Sequence, residues 1–140
     1  MEDRIVVGVD GSPGSDSALR WAVAHAPAFG ARVVAVHCWS PPLHHTEREP
    51  ADEVAALERD FAAVLDAAVD RARADDPGVE VEGVLSRGDP ADVLTGLAAG
   101  AALLVLGSRG TSGHTGAVLG SVSRRATDRA TCPVVVVPTP

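Results

Sequence analysis

Residues 107–121 read GSRGTSGHTGAVLGS, with glycine at 107, 110, 113, 116 and 120 and no carboxylate among them. Glycines let backbone N–H groups come close to a ligand and turn toward it as an anion-binding nest. Gly120-Ser121 then opens a helical pattern. The first N–H groups of a helix are unpaired, and its dipole is positive at that end. Charge points the same way. Between residues 93 and 127 there is no acid, yet Arg109, Arg124 and Arg125 lie there, in a chain of formal charge −7. The chemistry suggested is the binding of an anion, most simply a phosphate. On spacing alone, a mobile connection explains the glycines about as well as a cradle does. The pattern is not GxGxxG, and all 12 basic residues are Arg. The absence of Lys excludes a Walker A loop and Schiff-base chemistry.

Other residues make weaker claims. Asp10 follows an apolar run and could act as a base or metal ligand. Binding is the better reading, with a carboxylate that caps the turn, because no second acid or His has a motif-level place beside it. His44, His45, Glu47 and Glu49 match no zinc spacing and read as a solvated loop. His37 is expected to be a satisfied polar residue of the sheet, and Trp21 and Trp39 to be packing or surface residues. Ser12, Ser15, Ser108 and Ser121 lie in no GxSxG elbow. Cys38 and Cys132 fall at opposite edges of a parallel sheet, roughly 20 Å apart at the usual rise per residue, so they are expected to be free thiols.

These residues sit on an alternating pattern. Apolar runs at 4–9 and 32–38 read as buried strands, those at 101–106 and 133–138 as a fourth and a fifth strand, the last with Pro at each end, and the alternating run at 79–85 as a wetter strand nearer an edge. Between them lie helical patterns. One starts after an N-cap at Ser15, is kinked or ended early by Pro27, and stops at Gly30. A long amphipathic helix spans 51–74 with its stripe at Val54, Leu57, Phe61, Val64, Leu65, Ala68 and Ala72. A third follows the cap Asp89 and Pro90, with Val93, Leu94, Leu97 and Ala98 on one side and Gly100 closing it. A short last helix runs over 121–130 on Val122, Ala126 and Ala130. Strict β-α alternation predicts a parallel sheet with helices on both faces, as one domain over 1–140. If the chain winds one way through three strands and returns, the ends of the first and fourth strands are neighbours, and a ligand crevice lies between them.

Bulk composition agrees. Forty-six per cent of the residues are hydrophobic, enough for a core, and the acidic balance argues against nucleic acid as a partner. No run reaches ~18 apolar residues and the N-terminal apolar run is too short for a signal peptide, so the expectation is a soluble cytoplasmic protein.

The spacing Gly107-x2-Gly110-x9-Gly120-Ser121 resembles the G-x2-G-x9-G-(S/T) motif of the universal stress protein family, in its ATP-binding branch. RIVVGVDGSPGSDSALRWA, RVVAVHCW, SRGDPADVL, LLVLGSRG and CPVVVVP resemble that family's strands and helix starts, in order along the chain. The resemblance implies a doubly wound, five-stranded parallel sheet of order 3-2-1-4-5, similar to the adenine nucleotide alpha hydrolases. It implies ATP in the crevice, with Mg²⁺ or Mn²⁺ on the triphosphate. Carried over by position, Val9 and Asp10 would line the ribose or adenine end and Cys38 the adenine pocket. Gly107, Arg109, Gly110, Gly120, Ser121 and Val122 would hold ribose and phosphates. It further implies a homodimer through the last strand, at Val134, Val135, Val136 and Val137, and a stress-signalling role read by a partner protein. A slow ATPase or nucleotide-dependent enzyme in the same pocket is the alternative, and no catalytic residue is assigned. The sequence departs from the family at Cys38, where a branched aliphatic is common, at His114, where an aromatic or apolar residue is common, and at Pro27 inside the first helix.

Overall fold

The computed structural model describes residues 3–41, 51–109 and 119–139. Five strands and four helices alternate: β1 (Asp3–Gly8), α1 (Pro13–Phe29), β2 (Ala31–Trp39), α2 (Ala51–Asp75), β3 (Val81–Arg87), α3 (Pro90–Ala98), β4 (Leu103–Gly107), α4 (Ser121–Arg129) and β5 (Val134–Val137). All neighbouring strands pair in parallel, in the order β3-β2-β1-β4-β5. The chain winds outward through β2 and β3, then returns to lay β4 on the free side of β1. The strand order therefore reverses between β1 and β4.

Strands with side chains on both faces build two cores. Ile5, Val7, Val33, Ala35 and Val105 face α1 and α2, where they meet Ala18, Leu19, Ala22 and Leu65. Val6, Val34, Val36, Leu104 and Leu106 face the other way, against Leu94, Ala98 and Ala126 of α3 and α4. Both β1 faces are sealed, which is why its run reads as continuously apolar. β3 is the wetter edge strand expected, with Glu82 and Gly83 exposed.

Several expected boundaries shift. The N-cap of α1 is Ser12, not Ser15: the Ser12 hydroxyl accepts the Ser15 N–H at 3.2 Å and Pro13 takes the first helical position. A cap reaches the third helical residue, so Ser15 is the residue capped. Pro27 does not end α1 early. The helix runs on to Phe29, and the Gly30 N–H bonds to the Pro27 carbonyl at 3.1 Å with Gly30 at φ 59°. A proline in an exposed last turn forfeits a single backbone bond near water, where the loss is small. β3 begins at Val81 rather than 79, because Val79 closes a turn onto the Asp76 carbonyl. On α2 the buried stripe is Leu65, Ala68, Val69 and Ala72, while Val64 is exposed. Asp89 caps α3 as expected, accepting the Asp92 N–H at 3.2 Å.

Candidate functional site

The parallel register carries the chain ends of β2, β1 and β4 to one line. Gly8 lies opposite Val36 and Val7 opposite Val105, so continuing the ladder sets Asp10 between Cys38 and Ser108. This is the carboxyl end of the sheet, where the strand order reverses.

On the β1 side the turn is tied together from within. The Asp10 carboxylate accepts the Ser12 N–H at 2.9 Å and the Ser12 hydroxyl. The Ser15 hydroxyl receives the Asp10 N–H at 3.2 Å and donates to the Ser12 carbonyl at 3.1 Å. Gly11 turns the chain at φ 82°. Val9 is buried, its side chain in the core against α1 and α2, so only its backbone borders the crevice.

The β4 side is held by backbone and one hydroxyl. Ser108 donates its N–H to the Val137 carbonyl at 2.9 Å and accepts the Gly120 N–H at 2.5 Å. Ser123 donates its hydroxyl to the Gly107 carbonyl at 2.6 Å. Gly120 is the N-cap of α4, in extended backbone, and no side chain among the described residues caps this helix. The first intrahelical bond is Arg124 N–H to the Gly120 carbonyl at 3.0 Å. The N–H groups of the first turn thus form an anion-favouring end.

Gly107 has a packing role that the sequence did not disclose. A Cβ there would lie 2.8 Å from both C and O of Gly14 in α1, and a Cβ on Gly14 would lie 2.7 Å from the Arg109 carbonyl oxygen. The start of α1 and the end of β4 meet backbone to backbone. A Gly soon after a Pro at a helix start was the only local hint.

Of the expected site residues, Asp10, Cys38, Gly107, Gly120, Ser121 and Val122 gather at this end of the sheet, with Arg109 exposed at the β4 exit. Val122 is partly buried against the α3–α4 core. Gly110 lies outside the described residues, as do His114 and the loop residues His44, His45, Glu47 and Glu49. Cys38 and Cys132 are free thiols. Burial, then the nearby Asp89 charge, push the Cys38 thiol up to about 11.

Two expectations need correction. Arg125 does not add its charge to an open anion site: its guanidinium grips Asp89 at 3.1 and 2.8 Å. The fold brings the start of α3 against α4, a proximity that a linear charge count cannot show. His37 is not a satisfied sheet residue. It is 5% exposed, and its Nδ1 has no hydrogen-bond partner among the described residues. Burial lowers its pKa, against the pull of the Asp10 charge. Its ring lies 5.1 Å from that of Phe61. The tryptophans pack as expected: Trp21 stacks on His25 at 4.0 Å, and Trp39 is buried near Phe61 with Arg87 over its ring.

Together these features define a doubly wound α/β protein with an uncapped helix start at its switch point. The universal stress protein family profile matches residues 1–138, and the chain belongs to that family. A universal stress protein of Mycolicibacterium smegmatis is 38% identical over 138 residues, covering 95% of this chain and 45% of the relative. The chain thus spans less than half the length of that relative. A universal stress protein solved in complex with cAMP is 30% identical, with a TM-score of 0.74 over 99% of this chain and 98% of the other. The universal stress protein from Archaeoglobus fulgidus in complex with dAMP is 27% identical, with a TM-score of 0.69 over 96% of each. Among the described residues, no helix is long and apolar enough to cross a membrane.

Proposed function

We propose that residues 1–140 form one universal stress protein domain that binds ATP at the β1–β4 switch point and acts as a nucleotide-regulated stress-signalling module. The observation that carries this reading is the glycine-started N-terminus of α4, without a side-chain cap among the described residues and tied to the end of β4 beside Asp10. Its backbone donors suit phosphate oxygens, and the Ser121 hydroxyl adds another. Gly110 and Arg109 flank the same path in sequence. Asp10 meets a ribose hydroxyl with a carboxylate already oriented by Ser12, and Cys38 gives adenine a small apolar wall. Mg²⁺ or Mn²⁺ enters on the triphosphate. The cAMP and dAMP carried by two solved relatives support the adenine nucleotide class.

The role of Asp10 in its turn favours binding over catalysis, because a carboxylate engaged by Ser12 is holding the backbone rather than poised to take a proton. The open edge of β5, Val134–Val137, supplies the surface for a homodimer. Calorimetric titration with ATP, AMP and cAMP, with and without Mg²⁺, tests the reading. Saturable binding with ATP is expected, and the absence of heat with all three nucleotides overturns it. Rapid ADP release that Asp10→Ala abolishes would instead establish an enzyme.

A further inference from the structure

α4 is poorly anchored by apolar contact. Of its nine residues only Ser123 and Ala126 are buried. Its placement therefore depends on polar ties. Its first turn is joined to β4 through Gly120 and Ser123. One turn further on, Arg125 donates to both oxygens of Asp89, Nη1 to Oδ1 at 3.1 Å and Nη2 to Oδ2 at 2.8 Å. A two-point guanidinium–carboxylate contact fixes orientation as well as distance. Arg129 adds a second tie, to Asp92. Asp89 is itself held, since it caps α3 through the Asp92 N–H. Its charge also reaches Cys38 at the end of β2. One carboxylate thus ties the start of α3 to α4 beside the crevice.

We infer that Asp89 and Arg125 are positioning residues that aim the N-terminus of α4 at the phosphates of the bound nucleotide. This rests on the ATP-binding reading above. The pair is about two-fifths exposed on each side, so water screens its charge and its effect is geometric rather than a large contribution to stability. Because Arg125 is neutralised, it attracts the phosphates little. Breaking the pair therefore has opposite consequences under the two possible roles. If the pair aims the helix, its loss weakens phosphate binding. If Arg125 acts only as a cation, releasing it from Asp89 tightens binding.

The test is calorimetry with MgATP and, separately, adenosine, on Asp89→Asn, Arg125→Gln, the double variant and Arg125→Lys. Asn remains a good N-cap, so Asp89→Asn keeps the start of α3 while losing the charged fork. Each single variant is expected to weaken MgATP binding by about three- to fivefold, with the double no worse than either single, because both act through one contact. Arg125→Lys is expected to behave as Arg125→Gln, since it keeps the charge and loses the fork. Adenosine affinity is expected to stay at the wild-type value. Unchanged or tighter MgATP binding by Asp89→Asn, full MgATP affinity in Arg125→Lys, or an equal loss for adenosine would each overturn the inference. If the wild-type protein binds neither ligand, the ATP-binding reading fails and this inference falls with it.

Discussion

After β1, Ser12 caps α1, Asp10 holds Ser12, and Ser15 ties the turn back on itself. After β4, at the same end of the sheet, the next helix starts on a glycine, with no side-chain cap among the described residues. Both connections lead from a buried strand into a helix, and both use glycine, but for different ends. At β1 the protein ties its own polar groups together, so that the Asp10 carboxylate is oriented before a ligand arrives. At β4 the backbone is fastened by Ser108 and Ser123, while no side chain among the described residues caps the helix start. The β1 turn orients a side chain, whereas the β4 connection orients backbone donors.

The largest test of that contrast is at the contact joining the two regions. Gly107→Ala sets a Cβ 2.8 Å from the Gly14 backbone, where no flexible side chain can yield. Overpacking of this kind costs about 3 kcal/mol, a fall in Tm of roughly 10 °C for a chain of this size. Gly96→Ala is the control. It lies within α3 with nothing within 4 Å of the new Cβ, so it gains about 0.5–1 kcal/mol from helix propensity. Thermal melts of the two variants should move in opposite directions. A Gly107→Ala melt at the wild-type temperature would mean that α1 and β4 do not meet as described.

The next test exchanges the two helix starts. Ser12→Ala removes a cap and should lose about 1 kcal/mol. Gly120→Asp adds a cap to α4 at a φ of −72°, which any residue adopts. It should gain from a few tenths to about 1 kcal/mol, since a carboxylate suits both the open N–H groups and the dipole. The same carboxylate would occupy the place of a phosphate, so ATP titration should show binding lost in the more stable protein. Gly120→Asp that still binds ATP would separate the uncapped helix from the nucleotide site.

How much of this was legible in the sequence depended on the range of the contact. β1, β2 and the Asp89-Pro90 helix start are local patterns, and they lie where the residues indicate. The start of α1 was misassigned because Ser12 and Ser15 both suit a cap, and only the hydrogen bond shows which is capped. Glycines at 107 and 120 look alike in sequence, yet one serves packing against a distant helix and the other leaves donors open. The Asp89–Arg125 pair joins residues 36 apart, so the positive charge of the α4 segment was visible while its neutralisation was not. Periodicity reports which side of an element is buried and is silent on what lies across from it.

The smallest test addresses an exception on the closed side. Behind the Asp10 turn, on the face toward α2, His37 carries the one buried side-chain N or O atom without a partner among the described residues. Desolvation holds its pKa below the ordinary imidazole value, and the Asp10 charge, pulling upward, does not reverse that. The unfolded chain therefore takes up this proton at a higher pH than the folded one. Stability tied to His37 is fully present above the ordinary imidazole range. It falls as pH drops from that range to the lowered folded value, and is level below it. Tm measured from about pH 7.5 to 5 should decline less steeply in His37→Leu than in the wild-type protein. Parallel slopes would show that protonation of His37 meets no penalty in the fold, and that the region behind β1 is as fully satisfied as its turn.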